Sequence, residues 1–285
     1  MLKKILLLCA VTTLSVNLLQ AQYQSYQAIS EVGIGIGTST YYGDLNPSAK
    51  FAPMHYSAGA FYQKYFNNYI GIKLAASYIH LQADDADNKN AAYKTRNLNF
   101  SNNLIELSLA GSFNFFNYAP GYSGHNFTPY VSVGAGAVYT NPYTTLNGKK
   151  IFLRKLGTEG QYSTTSHDGK KYGPLAFVFP LSVGVRQAVS PKINIFAEAG
   201  YRFTTTDYLD DVSSTYAGKD AFEPANYKGS ATQAALAAQL QDRSQNRSLG
   251  TKGMQRGNSL VKDSYMLIQI GISYNFSNCN CPGVF

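Results

Sequence analysis

Residues 265–276, YMLIQIGISYNF, alternate apolar side chains with polar or absent ones. Successive side chains of a strand point to opposite faces, so the stretch predicts one apolar face and one polar face. The apolar face carries Met266, Ile268, Ile270, Ile272, Tyr274 and Phe276, and the other carries Gln269, Gly271, Ser273 and Asn275. An apolar face that ends in two aromatic residues is typical of a strand that contacts lipid in an outer-membrane barrel.

Seven further segments of the chain alternate in the same way. Each segment has about 12–15 residues, whereas a tilted strand needs about 9–11 to cross the hydrocarbon core. An even number of strands in one chain is typical of bacterial outer-membrane barrels. The sequence therefore predicts an all-β fold, an eight-stranded antiparallel transmembrane outer-membrane β-barrel. The predicted strands are residues 31–42, 54–66, 69–81, 103–117, 128–140, 175–189, 193–206 and 264–276.

The connections predict the orientation. Those after the second, fourth and sixth strands are short, whereas those at 141–174 and 207–263 are long. Barrels of this type place short turns in the periplasm and long loops outside, so both termini are expected in the periplasm. In the last loop, the Ala, Gln and Leu content of residues 231–245 predicts a short helix. Residues 226–230 and 250–258 are expected to be flexible.

The first 21 residues are typical of a signal peptide. Lys3 and Lys4 precede an apolar stretch at 5–11, and Gln20-Ala21 gives a cleavage site. Without those two lysines the formal charge falls from +8 to +6. The predicted organisation is a signal peptide at 1–21, a barrel at 22–276 and a periplasmic C-terminal tail at 277–285. The tail holds Cys279 and Cys281, which either mediate a redox or inter-protein contact or act only locally.

Six charged residues fall on the inward face of the predicted strands. A charge facing lipid near the membrane centre costs about 2–4 kcal/mol, so these residues belong in the lumen. Buried charges need partners, and equal numbers of acids and bases allow them to pair, which predicts an ionic plug that fixes the shape of the barrel. The six are Glu31, Lys73, Glu106, Arg186, Glu198 and Arg202. The alternative is a catalytic dyad or a proton path that uses Glu106 or Glu198.

Few residues suggest other chemistry. His55, His80, His125 and His167 lack the spacing of a zinc site. Asp84, Asp85 and Asp87 are not followed by the bidentate Glu of a calcium loop. The chain has no dense basic run, so nucleic-acid binding is not expected. The sequence therefore predicts no catalytic residue, no metal and no cofactor.

Three stretches resemble one known family. They are residues 41–45 (YYGDL), 152–160 (FLRKLGTEG) and 203–212 (FTTTDYLDDV). All three are similar to the PorG-type outer-membrane proteins of the type IX secretion system found in Bacteroidota. In addition, Gln269, Gly271, Tyr274 and Phe276 resemble the sorting signal that the barrel-assembly machinery reads on final strands.

The resemblance implies a non-enzymatic component of a secretion machine. Such proteins tether a periplasmic ring, built from a PorK-type lipoprotein and a PorN-type protein, to the outer membrane and its lipid. In gliding bacteria the machine also exports adhesins. The tail would emerge beside this ring, which makes Cys279, Cys281 and Phe285 candidate periplasmic docking residues.

The alternative function is that of a surface adhesin or a general structural barrel. The long outer loops favour it, because exposed loops carry recognition. The third loop has a net charge of +4, which could attract anionic glycans. This charge comes from Lys149, Lys150, Arg154, Lys155, Lys170 and Lys171 against Glu159 and Asp168.

Overall fold

The computed structural model describes residues 29–47, 54–165 and 169–277, so the predicted signal peptide and nearly all of the tail lie outside the described residues. Eight strands form the barrel. They are β1 (Ile29–Tyr42), β2 (His55–Tyr65), β3 (Ile70–Asp84), β4 (Asn99–Asn114), β5 (Phe127–Tyr139), β8 (Leu175–Ala188), β9 (Ile193–Thr204) and β10 (Ser264–Ser277). Two shorter strands, β6 (Tyr143–Leu146) and β7 (Lys149–Phe152), form a hairpin in the third long connection.

The barrel closes by antiparallel pairing of every neighbour in the ring. The order is β1-β2-β3-β4-β5-β8-β9-β10, and β10 pairs again with β1. Along this last seam Ile34 lies opposite Ile272 and Ile36 opposite Ile270, which places the apolar rows of both strands on the same face. The structure confirms the predicted fold class, and the register follows from the alternation.

The outer wall is apolar. Ile34, Ile270 and Phe177 are 62%, 62% and 67% exposed, far more than such side chains are in a water-soluble core. From Met266 to Phe276 the outward row covers about 33 Å along the strand. A strand tilt of about 40° reduces that length to about 25 Å, the height of the apolar band of membrane barrels.

The inner face differs from the prediction at one end of the barrel. The sequence places six charged residues on the inner face, but Ile79, Leu81 and Phe100 are also buried there, at the long-loop end. Tyr265 and Leu267, on the inward face of β10, join the same apolar core. This end is apolar because the long connections fold over it and bury it against their own side chains.

These long connections form a cap, which we define as residues 43–47, 85–98, 140–165, 169–174 and 205–263. The cap contains helix α1 (Ala91–Arg96), helix α2 (Ala231–Gln241) and the β6–β7 hairpin. Ser230 and Gln233 form a capping box at the start of α2, the short helix predicted for the last loop. None of the described helices is long and apolar enough to cross a membrane.

Two segments expected to be flexible make buried contacts instead. In residues 226–230, the Tyr227 hydroxyl donates to the Leu156 carbonyl oxygen over 2.7 Å. In residues 250–258, Arg256 is 3% exposed and donates to Glu159 over 2.9 Å. Their Gly and polar content suggested flexibility, whereas contacts to distant segments determine their order.

Candidate functional site

The six predicted luminal charges lie in the barrel interior as three acid–base pairs. Lys73 Nζ lies 2.5 Å from Glu198 Oε2, and the Tyr130 hydroxyl donates to the same oxygen over 2.9 Å. Arg202 Nε lies 3.7 Å from Glu106 Oε2, which also accepts a 2.7 Å hydrogen bond from Tyr265. Each carboxylate therefore has a tyrosine donor as well as a basic partner.

The third pair, Arg186 with Glu31, is the most deeply buried. Its Nε and Oε1 atoms lie 3.4 Å apart, and both side chains are at most 1% exposed. The Tyr65 hydroxyl donates to Glu31 over 2.8 Å and accepts a hydrogen bond from Arg186. Arg186 also lies over the Tyr130 ring, 4.7 Å from its centroid. Cation–π contact and hydrogen bonds thus compensate for the removal of this guanidinium from water.

Little space remains in the lumen. A cavity of about 40 Å³ lies among Lys73, Arg186, Glu198 and Arg202. This volume holds only about one to three water molecules. The interior is therefore a packed polar core rather than an open channel.

The three stretches that carry the family resemblance meet where β1 and β9 end and the cap begins. Tyr41, from the first stretch, donates to Asp210 over 2.6 Å. Thr158, from the second, donates to Asp211 over 2.5 Å. Segments far apart in sequence are thereby joined by buried hydrogen bonds, which the sequence did not predict.

Two arginines, Arg96 and Arg256, connect the other cap segments to the residues around Asp210 and Asp211. Arg256 donates to Glu159 over 2.9 Å, and Glu159 also accepts from the Ser213 backbone amide over 2.8 Å. Arg96 bonds both carboxylate oxygens of Asp85 at 2.7 Å. It also donates to the backbone carbonyls of Asp44 and Arg256. The two arginines thus link all four long connections over the end of the barrel.

Buried acids outnumber the arginines in the cap, and their pKa values reflect this. Burial, followed by the charge of Asp263, raises the pKa of Asp210 well above its usual value. Burial raises the pKa of Asp211 to about 6 and that of Asp207 to about 7. Protonation at these carboxyls reduces the charge that the cap would otherwise bury.

The three described histidines each lie beside an oxygen atom of a neighbouring residue. No group of three or more His, Cys, Asp or Glu side chains in the described ranges could hold a metal ion. His80 Nδ1 lies 2.6 Å from Asn103 Oδ1, and His125 Nδ1 lies 3.2 Å from the Asn117 carbonyl oxygen. His55 Nε2 lies 3.1 Å from the Gln82 carbonyl oxygen. These contacts are structural, and His167 lies outside the described residues.

The predicted assembly signal is divided between the two faces of β10. Gln269 points inward, where its Nε2 donates to Ser57 over 3.3 Å. Gly271 packs against Phe196, and an added Cβ there would lie only 2.5 Å from that ring. The Tyr274 and Phe276 rings lie outside, 5.1 Å apart. Cys279, Cys281 and Phe285, the candidate docking residues, lie outside the described residues.

The closed barrel and its apolar outer wall define a transmembrane β-barrel protein of the outer-membrane class. The chain belongs to the DUF6089 family, described as "Domain of unknown function (DUF6089)", whose profile matches residues 7–234. No curated protein matches the sequence.

Several solved structures are similar to this chain. Neisserial surface protein A is 10% identical, with a TM-score of 0.41 and coverage of 87% of this chain and 97% of that one. Ail of Yersinia pestis, solved with the heparin analogue sucrose octasulfate, is 11% identical, with a TM-score of 0.40 and coverage of 88% and 99%. OprG from Pseudomonas aeruginosa is 11% identical, with a TM-score of 0.36 and coverage of 89% and 97%.

Proposed function

We propose that this barrel anchors a periplasmic protein ring of the type IX secretion system in the outer membrane. The resemblance of residues 41–45, 152–160 and 203–212 to PorG-type proteins supports this role. Most of these residues lie in the cap and the others end β1 and β9, so the resemblance concerns residues that join the cap to the barrel. The proposed partners are a PorK-type lipoprotein and a PorN-type protein, and the role requires neither catalysis nor a cofactor.

The packed lumen is the observation on which the proposal rests. Lys73, Arg186 and Arg202 fill the interior with their acidic partners, and the remaining cavity of about 40 Å³ is too small for a solute path. Because solutes cannot pass through the barrel, its function is expected to depend on binding. The two ends of the barrel are the surfaces that proteins outside the membrane can bind. A membrane anchor that binds other proteins needs only such surfaces.

The proposed orientation places the short turns in the periplasm and the cap outside the cell. The β4–β5 connection at the short-turn end exposes Phe116 and Tyr122, which are 52% and 47% exposed. The strand β10 ends at Ser277 on this side of the barrel, and residues 278–285 follow it in the sequence. Cys279, Cys281 and Phe285 would then lie next to a periplasmic ring.

Co-purification from detergent-solubilised outer membrane tests this function. The full-length tagged chain is expected to recover the ring lipoprotein, and deletion of residues 279–285 should reduce that recovery at least fivefold. The Phe152→Ser substitution, in the hairpin at the opposite end, is the matched control and should leave recovery unchanged. The Cys279→Ser/Cys281→Ser variant separates a role of the thiols from a role of the whole segment.

Two outcomes would count against the proposal. If the full-length chain recovered no ring protein, the anchoring function would be wrong. If the deletion variant recovered as much ring as the full-length chain, the tail would not be the docking element, and the turns carrying Phe116 and Tyr122 would be tested next.

A further inference from the structure

A polar cleft of about 420 Å³ lies at the cap end of the barrel wall. Three lysines from two connections line it: Lys170 and Lys171 precede β8, and Lys262 precedes β10. Thr206 and Asp207, which follow β9, also line it. Its volume lies within the range of about 300–1,000 Å³ that is usual for small-molecule sites.

The cleft opens beside the surface that contacts lipid. Leu175 and Ala176, at the start of β8, form one wall of it. Leu175 is 68% exposed, and Phe177 continues the same outward row. The Phe177 amide donates to the hydroxyl of Thr205, a residue that lines the cleft, over 3.2 Å, so the cleft adjoins this row. A ligand in the cleft would therefore lie at the level of lipid headgroups.

The cleft is positively charged. None of the three lysine ammonium groups forms an ion pair with a carboxylate of the described residues. Lys262 Nζ donates to the Ser259 carbonyl oxygen over 3.3 Å, and Lys171 Nζ lies 5.2 Å from the centroid of the Tyr162 ring. Three lysines that line one cleft favour a phosphate group.

Asp207 gives a second, independent indication of a ligand. Its side chain is 3% exposed, and its Oδ2 accepts a 2.5 Å hydrogen bond from Ser213. Its Oδ1 has no hydrogen-bond partner among the described residues, although a buried acceptor normally has one. A hydroxyl group, such as one of a sugar, would supply the missing donor.

We propose that this cleft binds the phosphorylated sugar of an outer-leaflet lipid. Lys170, Lys171 and Lys262 contact the phosphate, and Asp207 accepts a hydrogen bond from a sugar hydroxyl. The acyl chains continue along Leu175 and Phe177 on the outer wall. The inference depends on the proposed orientation, since only then does the cleft face the outer leaflet.

A binding titration in detergent micelles tests the cleft, with phosphorylated lipid A as the probe. The full chain is compared with a Lys170→Gln/Lys171→Gln/Lys262→Gln variant. The matched control, Lys89→Gln/Lys94→Gln/Lys219→Gln, makes the same charge change at exposed lysines of the cap outside the cleft. We expect the Kd to rise at least tenfold for the cleft variant and to stay within twofold for the control.

Two further probes use the unaltered protein, so they do not depend on the folding of a variant. Dephosphorylated lipid A should bind at least tenfold more weakly than the phosphorylated form. Glucosamine phosphate, which has no acyl chains, should also bind at least tenfold more weakly.

Equal effects of the two triple variants, or equal affinity for the dephosphorylated lipid, would overturn phosphate binding in the cleft. Equal affinity for glucosamine phosphate would overturn the assignment to a lipid. Micelles impose no inner or outer side, so these results are independent of the orientation and of ring anchoring.

Discussion

The Tyr41 hydroxyl lies 2.9 Å from Asp263 Oδ1 and 2.6 Å from Asp210 Oδ2. It connects the end of β1 with the residues that follow β9 and precede β10. One hydroxyl carries a single proton, so the second short contact requires a proton on a carboxyl. Burial raises the pKa of both carboxyls, with further repulsion from Asp263 at Asp210 and from Asp207 at Asp263, and this supplies that proton. The three side chains therefore act as one hydrogen-bonded unit.

Removal of this hydroxyl should destabilise the cap. Tyr41→Phe leaves Asp210 Oδ2 and Asp263 Oδ1 without the hydroxyl that they share, a loss that costs about 1–3 kcal/mol. We expect residues 206–216 to become at least fivefold more sensitive to limited proteolysis, while the barrel strands remain protected. Tyr42→Phe is the matched control, because the Tyr42 hydroxyl lies 3.9 Å from the Met266 sulfur and contacts no carboxyl. Equal sensitivity of the two variants would show that Tyr41 does not hold the cap.

The cap should be more stable at pH 5 than at pH 8. Burial raises the pKa of Asp211 to about 6 and that of Asp207 to about 7, whereas an unfolded Asp titrates near 3.9. Between about pH 4 and pH 7 the folded cap holds more protons than the unfolded chain, so its stability falls as the pH rises. Hydrogen exchange in residues 206–216, corrected for intrinsic rates, should be at least fivefold slower at pH 5.

Asp211→Asn provides the control for this pH dependence, since it removes one titrating group. Asn also tolerates the positive φ of 66° at this position. The difference between pH 5 and pH 8 should shrink in this variant but not in Asp220→Asn, which alters an exposed acid of the same loop. Slower exchange at pH 8 than at pH 5 would contradict the explanation.

Substitutions at Lys73 and Glu198, the luminal pair, should change the free energy of unfolding non-additively. Lys73→Met leaves a buried carboxylate without its base, which typically costs about 3–5 kcal/mol. Adding Glu198→Gln removes the unpaired charge and keeps an acceptor for Tyr130, so the double variant should lose about 1–3 kcal/mol less than the sum of the single losses. Urea unfolding in phospholipid vesicles measures these differences. Lys64→Met, at an exposed position on β2, should have little effect, and additive losses would contradict a direct pair.

The barrel could be predicted from the sequence because its signal is local. Alternation places Ile270 and Ile272 outside, and the cost of a charge in lipid places Glu198 and Arg202 inside. Neither inference requires knowledge of a distant contact. Which acid faces which base depends on strand tilt and side-chain reach, so the pairing of Lys73 with Glu198 becomes evident only in the structure.

The cap could not be predicted in the same way. Tyr41 and Asp210 are 169 residues apart, and no periodic pattern connects them. The β6–β7 hairpin is different, because Asn147 and Gly148 both have positive φ and form its turn. Asn-Gly between two short β-prone segments is a recognised hairpin signal, so this element could have been found. The cleft lined by Lys170, Lys171 and Lys262 could not be found in this way, because Asp207 joins it only through contacts that form in the folded cap.

Spin labels on the outer wall test the central claim most directly, namely that the apolar face of a closed barrel contacts lipid. Labels at Ile34 and Ile270, in a chain whose native cysteines are replaced by serine, are compared with one at Leu260, a cap residue that is 90% exposed. We predict that wall labels in membranes collide with lipid-soluble oxygen and are shielded from a water-soluble nickel chelate, with the reverse at Leu260. Nickel accessibility at Ile34 and Ile270, or immobilisation of both labels by packed protein, would contradict the account.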